Sequence, residues 1–418
     1  MREIKIKFTE YKSHWGLVYL DFYSDVSRNK FIELGHMKQF IFSVEKYGDI
    51  KFVEDEEVYC MFYTEAISST IPGFLALDKS KEILKKLRNG VIKKFIFYGE
   101  DMDFLSVGSG IPNLTKQLND FFGDQIDKVW ITIASKNWSH DWGNINVVYN
   151  LGCLPYFLEN NIEKIEKENI VVNSTNGEKH FYTTNNQPRE ARIHLYKHLL
   201  DNKMLSKCEA SFFFRHWEEG KKFITYSDRE RDGDKILLPI IDDSFQFPVR
   251  VFDNETNGGH YYNCKWVNFE KNNNALIDLV IETLSDPIDF CSLTEKAFRP
   301  IVCKKPFLIF GSAGIYKGLE EMGFKFFPQL YDEEVLDDTT DFYTILSQVG
   351  HEEKAKAIFY EKRFNKFLDI LDRLANMDIE TLRELVEESW FNCEYNYQVL
   401  INLIEKEKIN TLKLFSIE

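Results

Sequence analysis

Thr294, Glu295, Lys296 and Arg299 stand close together in the chain and combine a helix-capping hydroxyl, a carboxylate and two cations. A threonine ahead of Glu295 can cap a helix whose first backbone N–H groups have no intrahelical partner, and such a terminus attracts phosphate. Lys296 and Arg299, three residues apart, share a helical face and are placed to neutralise a diphosphate, while Glu295 can accept hydrogen bonds from ribose hydroxyls. Upstream, Glu282 closes the apolar run Ile277–Ile281, at the strand-end position where ligand contacts collect in open α/β sheets. Taken alone, Thr-Glu-Lys also describes a capped surface helix with solvated charges.

Activating a hydroxyl nucleophile requires a base. Glu65 follows the run Val58–Thr64, and Glu100, Asp101 and Asp103 follow Lys94–Tyr98; of these Asp101 is the first candidate and Glu65 the second. Asp101-Met102-Asp103 and Asp232-Gly233-Asp234 both match the Asp-x-Asp pattern that binds Mn²⁺ through a diphosphate. Such pairs arise by chance in an acidic chain and Asp-Gly is a turn signal, so no metal site is expected. The stretch Trp138-Ser139-His140-Asp141-Trp142-Gly143 gathers stacking, basic and acidic groups, and can hold an acceptor sugar or an extruded base. His140 beside Asp141 is an alternative base, and a loop tryptophan can equally cap a core.

The elements that must position these residues alternate. Strands are expected at Ile4–Phe8, Leu17–Phe22, Val58–Tyr63, Lys94–Tyr98 and Val129–Ala134, with helices at Ser80–Leu87 and Asn113–Phe122. A second series follows the polar stretch Asn173–Gly177: strand Lys179–Thr183, helix Arg189–Leu200, strand Ala210–Phe214, strand Ile277–Glu282, helix Glu295–Cys303, strand Phe307–Phe310, helix Ile315–Met322 and strand Phe324–Phe327. This alternation predicts an α/β fold with parallel sheets covered by helices. Two Rossmann-like sheets in tandem would face a central cleft, the expected site. From Asp341 the apolar spacing is helical. The expected division is residues 1–178 as an acceptor-side domain, 179–335 as a donor domain, and 336–418 as a helical extension packing across both.

The chain has 418 residues, 44% hydrophobic and 28% charged, enough for sizeable cores and incompatible with wholesale disorder. Its 52 basic against 67 acidic residues give a net charge of −15, which argues against a long-range electrostatic grip on nucleic acid while leaving room for a local basic groove. Seven scattered cysteines without a Cys-x-x-Cys pair argue against disulfide frameworks and zinc knuckles. Aromatics make up 15% of the chain, and AT-rich codon usage with core filling accounts for them better than stacking surfaces do. The alternating start Met1–Lys7 lacks the apolar centre of a signal peptide and no apolar run reaches membrane-spanning length, so a cytoplasmic protein is expected.

Several of these stretches together resemble a known group. Glu282-Thr283, Leu293-Thr294-Glu295-Lys296 with Arg299-Pro300-Ile301, Lys305–Ile309 with Gly311, and Leu319–Lys325 are similar to the donor domain of glycosyltransferase-like proteins of phages and large DNA viruses. The same core is similar to that of fucosyltransferases and exostosin-type enzymes. Asn185–Tyr196 resembles the Asn, Arg and His-rich entry to that domain's first helix, departing from it at Leu195; Ala297 stands where the group usually has Thr.

The resemblance implies a GT-B architecture in which the second domain binds a nucleotide-diphosphate sugar through Arg189, Arg192, Glu282, Thr294, Glu295, Lys296, Arg299 and Gly311. It requires no cofactor beyond that co-substrate, because the helix terminus and basic residues can stabilise the leaving diphosphate. The acceptor, contacted by Trp138, His140, Asp141 and Trp142, is expected to be a saccharide-type hydroxyl. The alternative acceptor is a hydroxylated cytosine in phage DNA, with an enzyme in the host cytoplasm and a basic strip from Arg189, Arg192, Lys197, Lys203, Arg215, Lys221 and Lys222 beside the cleft. A non-catalytic nucleotide-sugar-binding protein is the reading from another class. A Rossmann dehydrogenase is disfavoured, since no Gly-x-Gly-x-x-Gly follows a predicted strand.

Overall fold

Runs of Val, Ile, Phe and Tyr form parallel strands alternating with helices, and the chain is α/β, compatible with Rossmann-like domains. The computed structural model describes residues 2–12, 16–18, 44, 50–63, 67–99, 110–133, 136–137, 141–151, 154–172, 175–185, 190–212, 267–282, 290–291 and 293–417. Two units are present, Met1–Asn160 with Ile401–Glu418, and Asn161–Leu400. The helices Leu154–Lys167 and Trp390–Leu414 carry the chain from one unit into the other, so the helical segment from residue 336 onward is shared between them.

In the first unit the expected strand Ile4–Phe8 is two strands, β1 (Arg2–Lys5) and β2 (Lys7–Lys12). The chain changes partner at Ile6: β1 pairs with β4 (Ile50–Val53), Ile6 N–H donates to Val53 O at 2.9 Å, and β2 then joins β5 (Val58–Tyr63). With β3 (Gly16–Val18), β6 (Lys94–Gly99), β7 (Val129–Ile133) and β9 (Asn146–Tyr149), these make a six-stranded sheet in the order β3-β2-β5-β6-β7-β9, parallel except for β3; β8 (Lys136–Asn137) lies outside it.

Right-handed crossovers between strands that follow one another in sheet order place their helices on a single face. Phe95 and Phe97 meet Phe74 and Phe122 of the helices Ile67–Leu75 and Gly110–Phe122 on that face. The opposite face needs another cover, and the C-terminal segment supplies it. Phe415 packs 5.5 Å from both Phe8 and Tyr98 and 5.9 Å from Phe52. Polar bonds fix its register: Tyr98 OH donates to Asn150 Oδ1 (3.1 Å), Asn150 Nδ2 to Thr411 Oγ1 (3.0 Å), and Leu151 N–H to Glu407 Oε2 (3.2 Å).

The second unit holds a parallel sheet of β10 (Lys179–Asn185), β11 (Cys208–Phe212), β12 (Ala275–Ile281) and β14 (Phe307–Phe310), ordered β11-β10-β12-β14; β13 (Phe290–Cys291) is separate. Strand order reverses at β10, which creates a switch point between β10 and β12. The helical segment covers this sheet, with Phe310 packed on Tyr360, Phe364 and Phe367 of the helix Glu352–Ala375. Residues 324–327 are not a strand: Lys325 N–H donates to Asn396 Oδ1 at 2.8 Å and its C=O accepts from Asn396 Nδ2 at 2.7 Å, in place of a ladder partner. Among the described residues no helix is long and apolar enough to cross a membrane.

Candidate functional site

Two adjacent strand ends build the site. Ile281 of β12 pairs with Phe310 of β14, and Glu282 N–H donates to Phe310 O at 2.8 Å. Gly311 therefore runs beside Glu282. A Cβ at Gly311 would sit 3.1 Å from Glu282 Cβ and 2.7 Å from Ile315 Cδ1, so a bare backbone is what lets the two chains pass.

Glu282 is 1% exposed, and its carboxylate fastens the helix Glu295–Val302. Oε1 accepts the Thr294 N–H at 3.0 Å and Oε2 the Thr294 hydroxyl at 2.5 Å. Thr294, in extended conformation, caps that helix as the sequence predicts: its Oγ1 accepts from Lys296 N–H and from Lys296 Nζ, each at 3.3 Å. Burial pushes the Glu282 carboxyl above its ordinary range, against the opposing pull of Lys296 and Thr294.

Lys296 and Glu295 are the partly open heads of this group, with side chains 23% and 30% exposed and an Nζ–Oε1 distance of 2.7 Å. Burial acts to raise the Glu295 carboxyl, but Lys296 and the nearby Arg192 charge outweigh it and hold the group below its usual value. Arg192, on the helix Glu190–Asp201, is buried and donates from Nε and Nη2 to Ile281 O at 3.3 and 3.1 Å. It braces the end of β12.

Arg299 does not share the open face with Lys296. Residues Ala297–Val302 are all buried, and Arg299 reaches into the sheet, where Nε meets Asp278 Oδ2 at 3.0 Å and Nη2 meets Oδ1. Nη1 donates to Thr184 Oγ1, and the guanidinium lies 5.2 Å over the Tyr182 ring. Asp278 is fully buried, and burial raises its carboxyl even against Arg299. The buried Lys305 ammonium donates to Asn272 O and Ala275 O close by. The expected diphosphate contact at Arg299 is thus an internal ion pair, because the helix turns that face toward β12.

The structure brings Arg192, Glu282, Thr294, Glu295, Lys296 and Gly311 to one end of the second sheet. Glu65, Asp101, Arg189, Trp138 and His140 lie outside the described residues, as do both Asp-x-Asp pairs. Asp141 is exposed and its Oδ1 accepts Gly143 N–H at 2.8 Å, closing a turn, while Trp142 is half-buried. Among the described residues no group of three or more His, Cys, Asp and Glu side chains is placed to hold a metal.

Sequence reasoning passed over two residues. Asp278 is the single charge within the apolar run of β12, a pattern that signals a buried partner. Arg363, buried on the helix Glu352–Ala375, donates to Gly311 O at 3.1 Å and to Leu336 O at 2.9 Å, which fixes the turn beside Glu282. Its position among Phe359, Phe364 and Phe367 marks it as inward-facing. Chemically, the group offers an ammonium and a carboxylate at a capped helix start, on a rigid buried base. No protein-family model matches the chain, and neither a curated protein nor a solved structure matches it.

Proposed function

We propose that the second unit is the donor half of a nucleotide-sugar-dependent glycosyltransferase of GT-B type, taking the diphosphate at the start of the helix Glu295–Val302. What supports the reading is one arrangement: Glu282, Thr294 and Lys296 joined at the carboxyl end of β12, next to the switch point at which α/β sheets take ligands. As the glycosidic bond breaks, negative charge grows on the β-phosphate; Lys296 and the helix N–H groups stabilise it. Glu295 accepts from ribose hydroxyls, and Glu282 is a positioning residue acting through Thr294. Arg192 and Arg299 belong to the scaffold. The acceptor is a saccharide hydroxyl, with Asp101 or Glu65 as base and no metal required. The DNA reading is weaker because Arg192, needed for its basic strip, is buried, and Lys197 is paired with Asp201 at 2.5 Å.

A thermal-shift screen against nucleoside diphosphates and nucleotide sugars tests the reading, since a ligand of the native state raises the melting temperature. One nucleotide family should stabilise the protein more than inorganic pyrophosphate does, and Lys296→Ala and Glu295→Ala should remove that excess and donor turnover while the ligand-free variants melt like wild type. Normal turnover by both variants would sink the assignment.

A further inference from the structure

The first unit carries a hollow of about 680 Å³, within the range of small-molecule sites, lined by Lys93, Lys94, Lys128 and Lys413 together with Trp130 and one carboxylate, Asp127. It sits at the amino ends of β6 and β7: Lys93 precedes β6, Lys94 opens it, and Asp127 and Lys128 precede β7. Ligand crevices of parallel sheets lie at the carboxyl ends, so this is a separate place on the fold.

Its charge is unusual for so acidic a protein. Lys93 is paired with Glu57 at 2.7 Å, but among the described residues no carboxylate lies within ion-pair distance of Lys94, Lys128 or Lys413. Lys128 Nζ donates to the neutral acceptors Gln125 Oε1 (2.6 Å) and Leu87 O (3.3 Å). Lys94 is 9% exposed, its Nζ donating to Ser416 O at 3.0 Å and lying 4.4 Å over the Trp130 ring. Burial without a carboxylate draws its ammonium down to about 8, and a bound anion would supply the missing counter-charge. A buried cation beside an aromatic ring, in a hollow that three further lysines also line, is the chemistry an anion would meet. The cations are lysines, compact point charges that suit phosphate, and no arginine is present to offer the planar fork that matches a carboxylate.

We propose that this hollow is an anion site that takes a compact phosphate-bearing ligand of two or more negative charges, either a free oligophosphate or the phosphate chain of a nucleotide. The C-terminal segment forms one wall through Lys413, Leu414 and Ile417, and its Ser416 O accepts from Lys94 Nζ, so occupancy also fastens that segment to the sheet.

Calorimetric titration of the full chain at fixed ionic strength, with inorganic pyrophosphate and with ADP in separate arms, tests this. A Lys296→Ala background removes the contribution of the second unit. Pyrophosphate should bind that background, and Lys128→Glu with Lys413→Glu should weaken it at least tenfold; Lys128→Gln with Lys413→Gln should weaken it less, and Lys413→Arg should retain it. Comparable affinity for ADP identifies a nucleotide's phosphate chain as the ligand, and binding of pyrophosphate alone identifies a free oligophosphate. Absence of pyrophosphate binding in the Lys296→Ala protein, or titration of both double variants like their parent, would overturn the proposal.

Discussion

Removing the Arg299 guanidinium should cost folding stability and not ligand affinity. The Arg299→Ala change leaves Asp278 in the middle of β12, fully buried and without its bidentate partner. At the 3.0 Å contact and an effective dielectric of about 20, Coulomb attraction alone is about 5.5 kcal/mol. Desolvation of both ions offsets much of that in the intact pair, yet breaking a buried pair on one side characteristically costs about 3–5 kcal/mol, because a charge is left stranded. For a unit of this size each kcal/mol lowers the melting temperature by about 2–4 °C, so a fall of about 6–20 °C is expected. The assay is thermal and urea unfolding of a double-mutant cycle with Asp278→Ala. The double variant should be less destabilised than the sum of the single changes, and Asp278→Leu with Arg299→Met should recover most of the loss. An Arg299→Ala protein that melts within about 2 °C of wild type, a shift smaller than about 1 kcal/mol would give, while losing affinity for nucleoside diphosphates would refute the reasoning and return Arg299 to the ligand.

Phe415→Ala should destabilise the first unit by about 3–5 kcal/mol, since it empties a fully buried ring site between Phe8, Phe52 and Tyr98; wild-type unfolding of the variant would mean that the C-terminal segment is not part of that core. Asp337 accepts Lys317 N–H at 2.7 Å through Oδ2 while its Oδ1 is buried without a partner among the described residues, and burial pushes the carboxyl from 3.8 up to about 7. The native state therefore holds a proton that the unfolded state releases near pH 3.8, so this group's stabilisation is full below that pH and is lost as pH rises to about 7, by up to about 1.4 kcal/mol per pH unit. Melting temperatures of wild type and Asp337→Asn from pH 5 to 8 should diverge in that direction, and parallel curves would count against it. Gly311→Ala should push Glu282 or Ile315 aside, costing about 1–3 kcal/mol as an overpacked site does and weakening nucleotide-dependent stabilisation; an unchanged response in both readouts would show that the turn has slack.

Local chemistry determined much of this protein from sequence alone. The apolar runs at Val58–Tyr63 and Phe307–Phe310 are strands over those residues, because short uninterrupted apolar runs rich in aromatic and β-branched residues, with no turn residue, leave little other choice. Thr294 was legible as a cap and Glu282 as a strand-end acid, since both roles depend on neighbours a few residues away or on the end of an apolar run. The direction of Arg299 was not legible. Helical spacing puts it near Lys296, but which face of a helix turns inward depends on what the sheet offers, here an aspartate twenty-one residues upstream. The break at Ile6 likewise depends on two partners, β4 and β5, that the strand cannot announce by itself. The convergence of Lys94, Lys128 and Lys413 joins residues more than three hundred positions apart, and the bond from Lys94 to Ser416 spans 322. Sequence fixes which groups are short of partners; only the tertiary fold decides which of them meet, because burial and charge act through space and not along the chain.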